Sequence, residues 1–259
     1  MAFPTFERND IEADHPLHTH VKAYVYNEPR DIGDGFADYL DPTATAVISI
    51  DMHRGHLDPS PDCPCPAPRA RDVVAPIDAF HDAVRPLGVR IVHVKSVLRP
   101  AGVDDVKGIP SAWRRTFPLH IGVIPNADAH AIEGSPWTEW VTRVEPGDMR
   151  VENKRRLSAF YPTDLDFLLR NQRITTVVLN GGFTDCCVLN SAFDAANHDY
   201  RVVVLRDLVR GTDAHLEAAA LSIVSLHLGL VLYSNDLLAE WRRQAAARAK
   251  SAATTPATA

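Results

Sequence analysis

"ITTVVLNGGFTDCCVLNSAFDAANHDYRVVVLRD", residues 174–207, decides the fold class. An apolar, β-branched run (174–180) leads through a glycine turn into a helical pattern (185–199), and a second apolar run follows (200–207). A strand, a helix and a further strand in this order are typical of a βαβ unit, in which a crossover helix joins two parallel strands. Near-continuous Val and Leu runs also indicate strands that are covered on both faces.

The same alternation continues on both sides of this stretch. Further strands are predicted at 45–50, 89–96 and 230–234, and further helices at 71–88, 162–172, 213–229 and 235–244. The sequence therefore predicts an α/β fold of three layers, with helices on both faces of a mainly parallel, Rossmann-like central sheet. We expect one domain over residues 41–243, preceded by an arm (1–40) and followed by a disordered tail (244–259).

Composition excludes several classes of protein. Apolar residues make up 46% of the 259 residues, and a net charge of −6 without a basic stripe predicts no nucleic-acid partner. No apolar run reaches the roughly 18 residues of a membrane helix, and the N-terminus lacks a signal-peptide pattern, so we expect no membrane partner and a cytoplasmic location. The cysteines form two close pairs, Cys63 with Cys65 and Cys186 with Cys187, which predicts reduced thiols.

Three groups with chemical potential follow predicted strands: Asp51, Lys154 and the pair Cys186–Cys187. Open α/β sheets bind ligands beyond the carboxyl ends of their strands. A cysteine in the first helical turn meets unpaired N–H groups, which stabilise a thiolate and can hold an oxyanion. Helical spacing favours Cys187 as the thiol that faces the cleft. The structural alternatives are an apolar filler for the cysteine, a turn cap for Asp51 and a solvated charge run for Lys154.

Together these segments resemble the isochorismatase-like cysteine hydrolase superfamily over about residues 41–240. "ATAVISIDMHRGHL" (44–57) resembles the family's first strand, which ends in an aspartate. The family then has a lysine, Ser-Ala-Phe, Thr-x-Leu and Gly-x-x-Thr-x-x-Cys-Val in this order. The corresponding segments here are "KRRLSAFYPTDL" (154–165) and "GGFTDCCV" (181–188).

The resemblance implies roles for individual residues. Asp51 becomes the general acid or base, Lys154 its charge partner and Cys187 the nucleophile. The backbone N–H groups of Phe183 and Cys187 become the oxyanion hole, with a cis peptide bond between Gly182 and Phe183. The implied reaction is hydrolysis of a C–N bond in a small amide, ureido or carbamoyl compound through a thioester.

Two other functions on the same fold stay open as alternatives. One is a vinyl-ether hydrolase of isochorismatase type, which needs no thiol, and the other is a non-catalytic binding or assembly subunit. The superfamily also implies a small-molecule substrate and a homodimer or homotetramer.

The sequence departs from the nicotinamidases of this superfamily, which carry an Asp-x-His…His metal motif. The corresponding place reads "HVKSVLRPAGVD" (93–104), so we expect no metal and no cofactor. His53 and His56 are unusual in the aspartate motif; they could shape the pocket, bind a metal or be polar loop residues, and the last interpretation is favoured. The segment 99–134 is predicted to form a lid or a partner contact. The candidate substrate contacts are Trp113, Phe160 and Arg210.

Overall fold

A computed structural model describes residues 21–105 and 108–254 of the protein. The strands are β1 Lys22–Val25, β2 Glu28–Asp31, β3 Thr45–Ile50, β4 Arg90–Ser96, β5 Met149–Lys154, β6 Thr176–Gly182, β7 Arg201–Arg210 and β8 Gly229–Leu232. The α-helices are α1 Arg54–Leu57, α2 Val74–Val84, α3 Ala112–Ile121, α4 Leu165–Asn171, α5 Leu189–Asn197, α6 Ala214–Ile223 and α7 Ser234–Thr254. A π-helical turn, Thr184–Val188, leads into α5.

Strands β3 to β8 form one parallel sheet in the order β5-β4-β3-β6-β7-β8, which confirms the predicted α/β architecture. From β3 the chain moves outward through β4 to β5, and it then returns to the other side of β3 at β6. The strand order therefore reverses between β3 and β6. In open α/β sheets this reversal opens a crevice at the carboxyl ends of the strands, where ligands bind.

Helices cover both faces of the sheet, because alternate strand residues point in opposite directions. Val47 and Val178 pack on the face that also buries residues of α2 and α7. Their neighbours Ile48 and Leu179 pack on the other face, with residues of α4, α5 and α6. These two apolar clusters give the three layers that the strand composition predicts.

The two ends of the described chain pack against each other. Strands β1 and β2 pair as an antiparallel hairpin, and the fully buried Leu40 follows them. Trp241 Nε1 and Gln244 Nε2 of α7 each donate to the Leu40 carbonyl at 3.1 Å. The segment expected to be a disordered tail (244–259) thus begins within helix α7. The contacts of Trp241 and Gln244 anchor this helix to the core. The rest of the predicted arm (1–20) and tail (255–259) lies outside the described residues.

Candidate active site

Three strand ends bring Asp51, Lys154 and Cys187 together at the carboxyl edge of the sheet. Asp51 follows β3, Lys154 is the last residue of β5, and Cys187 lies in the π-helical turn after β6. Lys154 Nζ donates to Asp51 Oδ2 at 2.6 Å and to Cys187 Sγ at 3.4 Å. All three residues are buried, with exposures of 1%, 1% and 5%. The lysine therefore contacts both the carboxylate and the thiol.

The close approach of β6 to β3 depends on a glycine. Gly181 has φ = 108°, and a Cβ at this position would lie 2.2 Å from the Ile50 carbonyl oxygen. Only glycine meets both conditions without displacing the backbone. The next peptide bond, Gly182–Phe183, is cis. This local geometry leads the chain from β6 into the turn that carries Cys187 beside the end of β3.

Ser96 completes the group at the end of β4. Its backbone N–H and its Oγ donate to Asp51 Oδ1 at 2.8 and 3.0 Å, and its Oγ accepts from Lys154 Nζ at 2.8 Å. Sequence reasoning did not select this residue, although its position at the end of a predicted strand is the same signal that selected Asp51. Ser96 holds the carboxylate and the ammonium in place.

The buried carboxylate and ammonium keep each other charged. Burial opposes ionisation of Asp51, but the charge and the hydrogen bond of Lys154, together with the neighbouring His53 and His56, outweigh it and hold the pKa of Asp51 well below its usual value. Burial likewise favours neutral lysine, yet the Asp51 carboxylate raises the pKa of Lys154 above its usual value. The resting site therefore contains an ion pair next to the thiol.

Geometry distinguishes the two adjacent cysteines. Cys187 donates a hydrogen bond to Cys186 Sγ at 4.0 Å, and this bond, together with burial, raises the pKa of the Cys187 thiol. The same bond lowers the pKa of Cys186, so ease of ionisation in the resting pair favours Cys186. However, the hydrogen bond from Lys154 goes to the Cys187 sulfur, and Cys187 is the more deeply buried of the two. The positive charge of Lys154 therefore faces the sulfur of Cys187, where it would stabilise negative charge.

A cavity of about 1020 Å³ opens above these residues. Lys154, Cys187 and Phe183 lie in its lining, as does Trp113 from α3. The segment 99–134, predicted to be a lid or a partner contact, thus supplies one wall of the cavity through α3. Trp113 is placed where a substrate contact was expected.

The other two predicted substrate contacts lie elsewhere. Within the described residues, the cavity lining does not include Phe160 or Arg210. Phe160 is buried in the core on the α4–α5 face, where its ring packs against His198 and Tyr200 with centroids 5.6 and 5.8 Å apart. Arg210 donates to the carbonyl of Val209. Neither side chain is placed to contact a substrate in this cavity.

Three histidines form a buried cluster beside Asp51. His53, His56 and His130 are exposed by 0%, 5% and 5%, and one ring nitrogen from each lies within 4.8 Å of those of the other two. Burial, followed by the neighbouring His56, lowers the pKa of His53 to about 3, and burial also lowers the pKa of His56 and His130. His53 and His56 are therefore buried, and the favoured interpretation of them as polar loop residues is wrong. Sequence reasoning missed His130, which is 74 residues from His56.

Comparisons with known proteins agree with this architecture. An Isochorismatase domain model matches residues 45–236. A maleamate amidohydrolase from Pseudomonas putida is 30% identical over 204 residues, which cover 77% of this chain and 88% of the relative. A ureidoacrylate amidohydrolase from Methylobacterium radiotolerans is 28% identical over 205 residues, covering 74% and 77% respectively. The crystal structure of a cysteine hydrolase from Pseudomonas syringae superposes with a TM-score of 0.69 at 23% identity, covering 78% of this chain and 94% of that one.

The chain belongs to the isochorismatase family, because the family model spans most of its length. It is an enzyme, and its relatives group it with the amidohydrolases of that family. Among residues 21–105 and 108–254, no helix is both long enough and apolar enough to span a bilayer.

Proposed function

We propose that the protein is a cysteine-dependent amidohydrolase that cleaves a C–N bond of a small amide, ureido or carbamoyl compound through a thioester on Cys187. The observation that carries this proposal is the position of Lys154 Nζ, 2.6 Å from Asp51 Oδ2 and 3.4 Å from Cys187 Sγ, in the lining of the cavity. A nucleophile, a proton acceptor and a fixed positive charge are thereby within reach of one substrate carbonyl.

In the proposed reaction the Cys187 sulfur attacks the substrate carbonyl carbon, and the thiol proton passes to Asp51. Before this transfer the negative charge of the group lies on the Asp51 carboxylate, and as the C–S bond forms it passes to the substrate's carbonyl oxygen, while Lys154 keeps its positive charge. The net charge of the buried group therefore stays constant, which avoids the large cost of creating an unpaired buried charge. The raised pKa of Cys187 agrees with this order, because the proton stays on sulfur until the carbonyl is attacked.

The following steps use the same groups. The carbonyl oxygen becomes an oxyanion, which the backbone N–H groups of Phe183 and Cys187 would stabilise. The C–N bond then breaks, and Asp51 returns its proton to the leaving ammonia or amine. Water attacks the thioester with Asp51 as the base, the C–S bond breaks, and the acid leaves while the thiol is restored.

A positively charged side chain in the cavity wall supports a substrate that carries a carboxylate. Arg156 lines the cavity, and its guanidinium donates to the backbone carbonyls of Arg155 and Asp104. Among the residues that the structure describes, no carboxylate lies within ion-pair distance of it. Maleamate and ureidoacrylate, for which two relatives are named, both carry a carboxylate in the same small molecule as the amide or ureido group. We therefore propose a small carboxylate-bearing amide or ureide as the substrate class.

The nucleophile is tested by comparing Cys187→Ser with Cys186→Ser in an assay of ammonia release from maleamate, ureidoacrylate and carbamoyl amino acids. We expect Cys187→Ser to lower kcat by about a thousandfold or more, because it removes the nucleophile. We expect Cys186→Ser to change kcat by no more than a few fold, because Cys186 is only a neighbour of the reacting thiol. Acid-quenched protein should carry the acyl mass on the peptide with Cys187. Loss of activity in Cys186→Ser alone would reverse the assignment. Thiol-independent turnover of a vinyl ether would instead support the isochorismatase-type reaction.

The substrate class is tested with Arg156→Gln. Loss of a charge-assisted hydrogen bond costs about 1.5–3 kcal/mol, so kcat/KM for an acidic amide should fall roughly 10- to 150-fold. The kcat/KM for a neutral amide should change little. Arg115→Gln, at an exposed position of α3, is the matched control and should leave both values unchanged. Equal losses for acidic and neutral amides would reject a carboxylate contact at Arg156.

A further inference from the structure

The histidine cluster of His53, His56 and His130 has no task in the reaction proposed above. His56 and His130 line the cavity, and His53 Nε2 lies 3.8 Å from Asp51 Oδ1. The ring centroids are 4.6, 4.7 and 5.7 Å apart. Three imidazoles at this spacing in the wall of an enzyme cavity are the residue type and the number that open metal sites use.

Backbone carbonyls determine where two of these rings carry their protons. His53 Nδ1 lies 2.9 Å from the Trp137 carbonyl oxygen, and His56 Nδ1 lies 2.9 Å from that of Cys65. A carbonyl can only accept, so these contacts favour the tautomers with the proton on Nδ1 and a lone pair on Nε2. For His53 the N–H of Gly55, 3.2 Å from the same Nδ1, favours the other tautomer, and the carbonyl contact is the shorter of the two. Metal-binding histidines are commonly oriented by this Nδ1–H to carbonyl bond.

Ring nitrogens of the cluster lie close together. His56 Nε2 and His130 Nε2 are 3.3 Å apart, a distance at which one donates a hydrogen bond to the other when no ion is bound. Two nitrogens bound to one tetrahedral zinc at about 2.0–2.1 Å would be about 3.3–3.4 Å apart. His53 Nε2 is fully buried and has no hydrogen-bond partner among the residues that the structure describes. A buried polar atom without a partner calls for an explanation, and an ion is one of the few available.

We propose that His53, His56 and His130 bind one divalent cation of the late first transition row, such as Zn²⁺. Neutral imidazoles suit Zn²⁺, Co²⁺ and Ni²⁺, whereas Mg²⁺ and Ca²⁺ prefer oxygen ligands. The sequence predicted no metal, because the nicotinamidase motif is absent, and it did not connect His130 with His53 and His56. When bound, the cation would supply positive charge beside Asp51 and a Lewis acid in the cavity wall. This inference does not depend on the proposed hydrolysis.

Metal content and metal environment test the proposal without an activity assay. The full chain is stripped with a chelator, dialysed against Zn²⁺ or Co²⁺, and analysed for stoichiometry by elemental analysis and for affinity by competition with a chromophoric chelator. We expect one Zn²⁺ per chain. Loss of a residue that only orients a metal ligand lowers metal affinity by roughly 10–100-fold. Loss of a ligand itself, in His53→Gln or His130→Gln, should lower the Zn²⁺ affinity by more than this. His198→Gln, at a half-exposed ring outside the cluster, should bind as tightly as the unmodified chain.

X-ray absorption on the zinc-loaded, unmodified chain decides the ligands even if a histidine variant fails to fold. Imidazole nitrogens at about 2.0–2.1 Å are expected, whereas a Zn–S distance of about 2.3 Å would place the ion on cysteine and overturn the proposal. Retention of no stoichiometric metal would overturn it as well. Unchanged affinity in folded His53→Gln and His130→Gln would have the same consequence.

Discussion

Replacing Lys154 with methionine should leave the Asp51 carboxylate buried without an ionic partner. Lys154 Nζ lies 2.6 Å from Asp51 Oδ2, and both side chains are at most 1% exposed. Removing one member of a buried ion pair costs about 3–5 kcal/mol, since the remaining charge loses its counter-ion without regaining water. Ser96 still donates twice to the carboxylate, which places the expected loss near the lower limit, about 3 kcal/mol. Methionine fills the lysine stem, so little of the loss should come from a cavity.

Urea unfolding at pH 7 measures this loss as a shift of the midpoint at constant slope. Lys95→Met is the matched control, because Lys95 lies near the end of the adjacent strand β4 and pairs with Glu152, which is 45% exposed. There the remaining carboxylate reaches water, although Lys95 also donates to the Thr138 carbonyl at 2.8 Å, so the loss should be about 1–2 kcal/mol. The double variant Lys154→Met with Asp51→Asn should recover stability relative to Lys154→Met alone. The reasoning fails if Lys154→Met is no more destabilising than Lys95→Met.

The pH dependence gives an independent check of the same cause. In the unmodified protein the pKa of Asp51 is depressed, so its stabilising contribution is present above the unfolded value of about 3.9 and is lost as the pH falls below it. Without Lys154, burial should instead raise the pKa of Asp51. The stability deficit of Lys154→Met should therefore shrink as the pH falls from about 7 to 5, because protonation removes the buried charge. A deficit that stays constant over this range would contradict the account.

Two further substitutions test the backbone and a second charged cluster. Gly181→Ala places a Cβ 2.2 Å from the Ile50 carbonyl oxygen at a left-handed φ, so it should lower the free energy of unfolding by about 3 kcal/mol or more. Gly147→Ala, which has open space around it, should change this free energy by less than about 0.5 kcal/mol. Thermal melts measure both changes. Burial opposes ionisation of Asp148, but hydrogen bonds from Arg85, the Glu145 N–H and His93 together outweigh it and lower the pKa of Asp148 to about 2. Its stabilising contribution is therefore present above about pH 3.9 and is lost towards pH 2, so Asp148→Asn should lose less of its melting temperature over this range than the unmodified protein does. Parallel losses in the two proteins would refute this assignment.

Local pattern was sufficient to predict the fold class and the three residues that meet in the structure. The run 174–180 is β-branched and continuous because β6 is covered on both faces, and this property is visible without any neighbour. Asp51 stands out because a charged residue ends such a run, whereas Lys154 follows the mixed segment 149–153 and is selected by the family motif that it begins. Since all carboxyl ends of a parallel sheet lie on one edge, strand-end residues far apart in the chain were expected to be neighbours.

The surroundings of these residues depended on the tertiary structure. Phe160 belongs to a recognisable motif. However, the chain turns towards α4 after β5 and buries the Phe160 ring on the face of the sheet that α4 and α5 cover. Arg156 stands two residues beyond Lys154 in a run of charges that reads as solvated, yet it lines the cavity.

The amino-acid sequence thus determined the parallel sheet and the residues at its carboxyl edge, because strand and helix periods are local properties, whereas the strand order and its reversal point came from the tertiary structure. The sequence did not determine that Ser96 holds Asp51 or that His130 joins His53 and His56. Those contacts join segments 45 to 77 residues apart, and a residue's partner across such a distance depends on how the intervening chain packs. In the sequence, His53 and His56 suggested a polar loop. Their common burial with His130, which only the tertiary structure shows, is the basis of the proposed metal site.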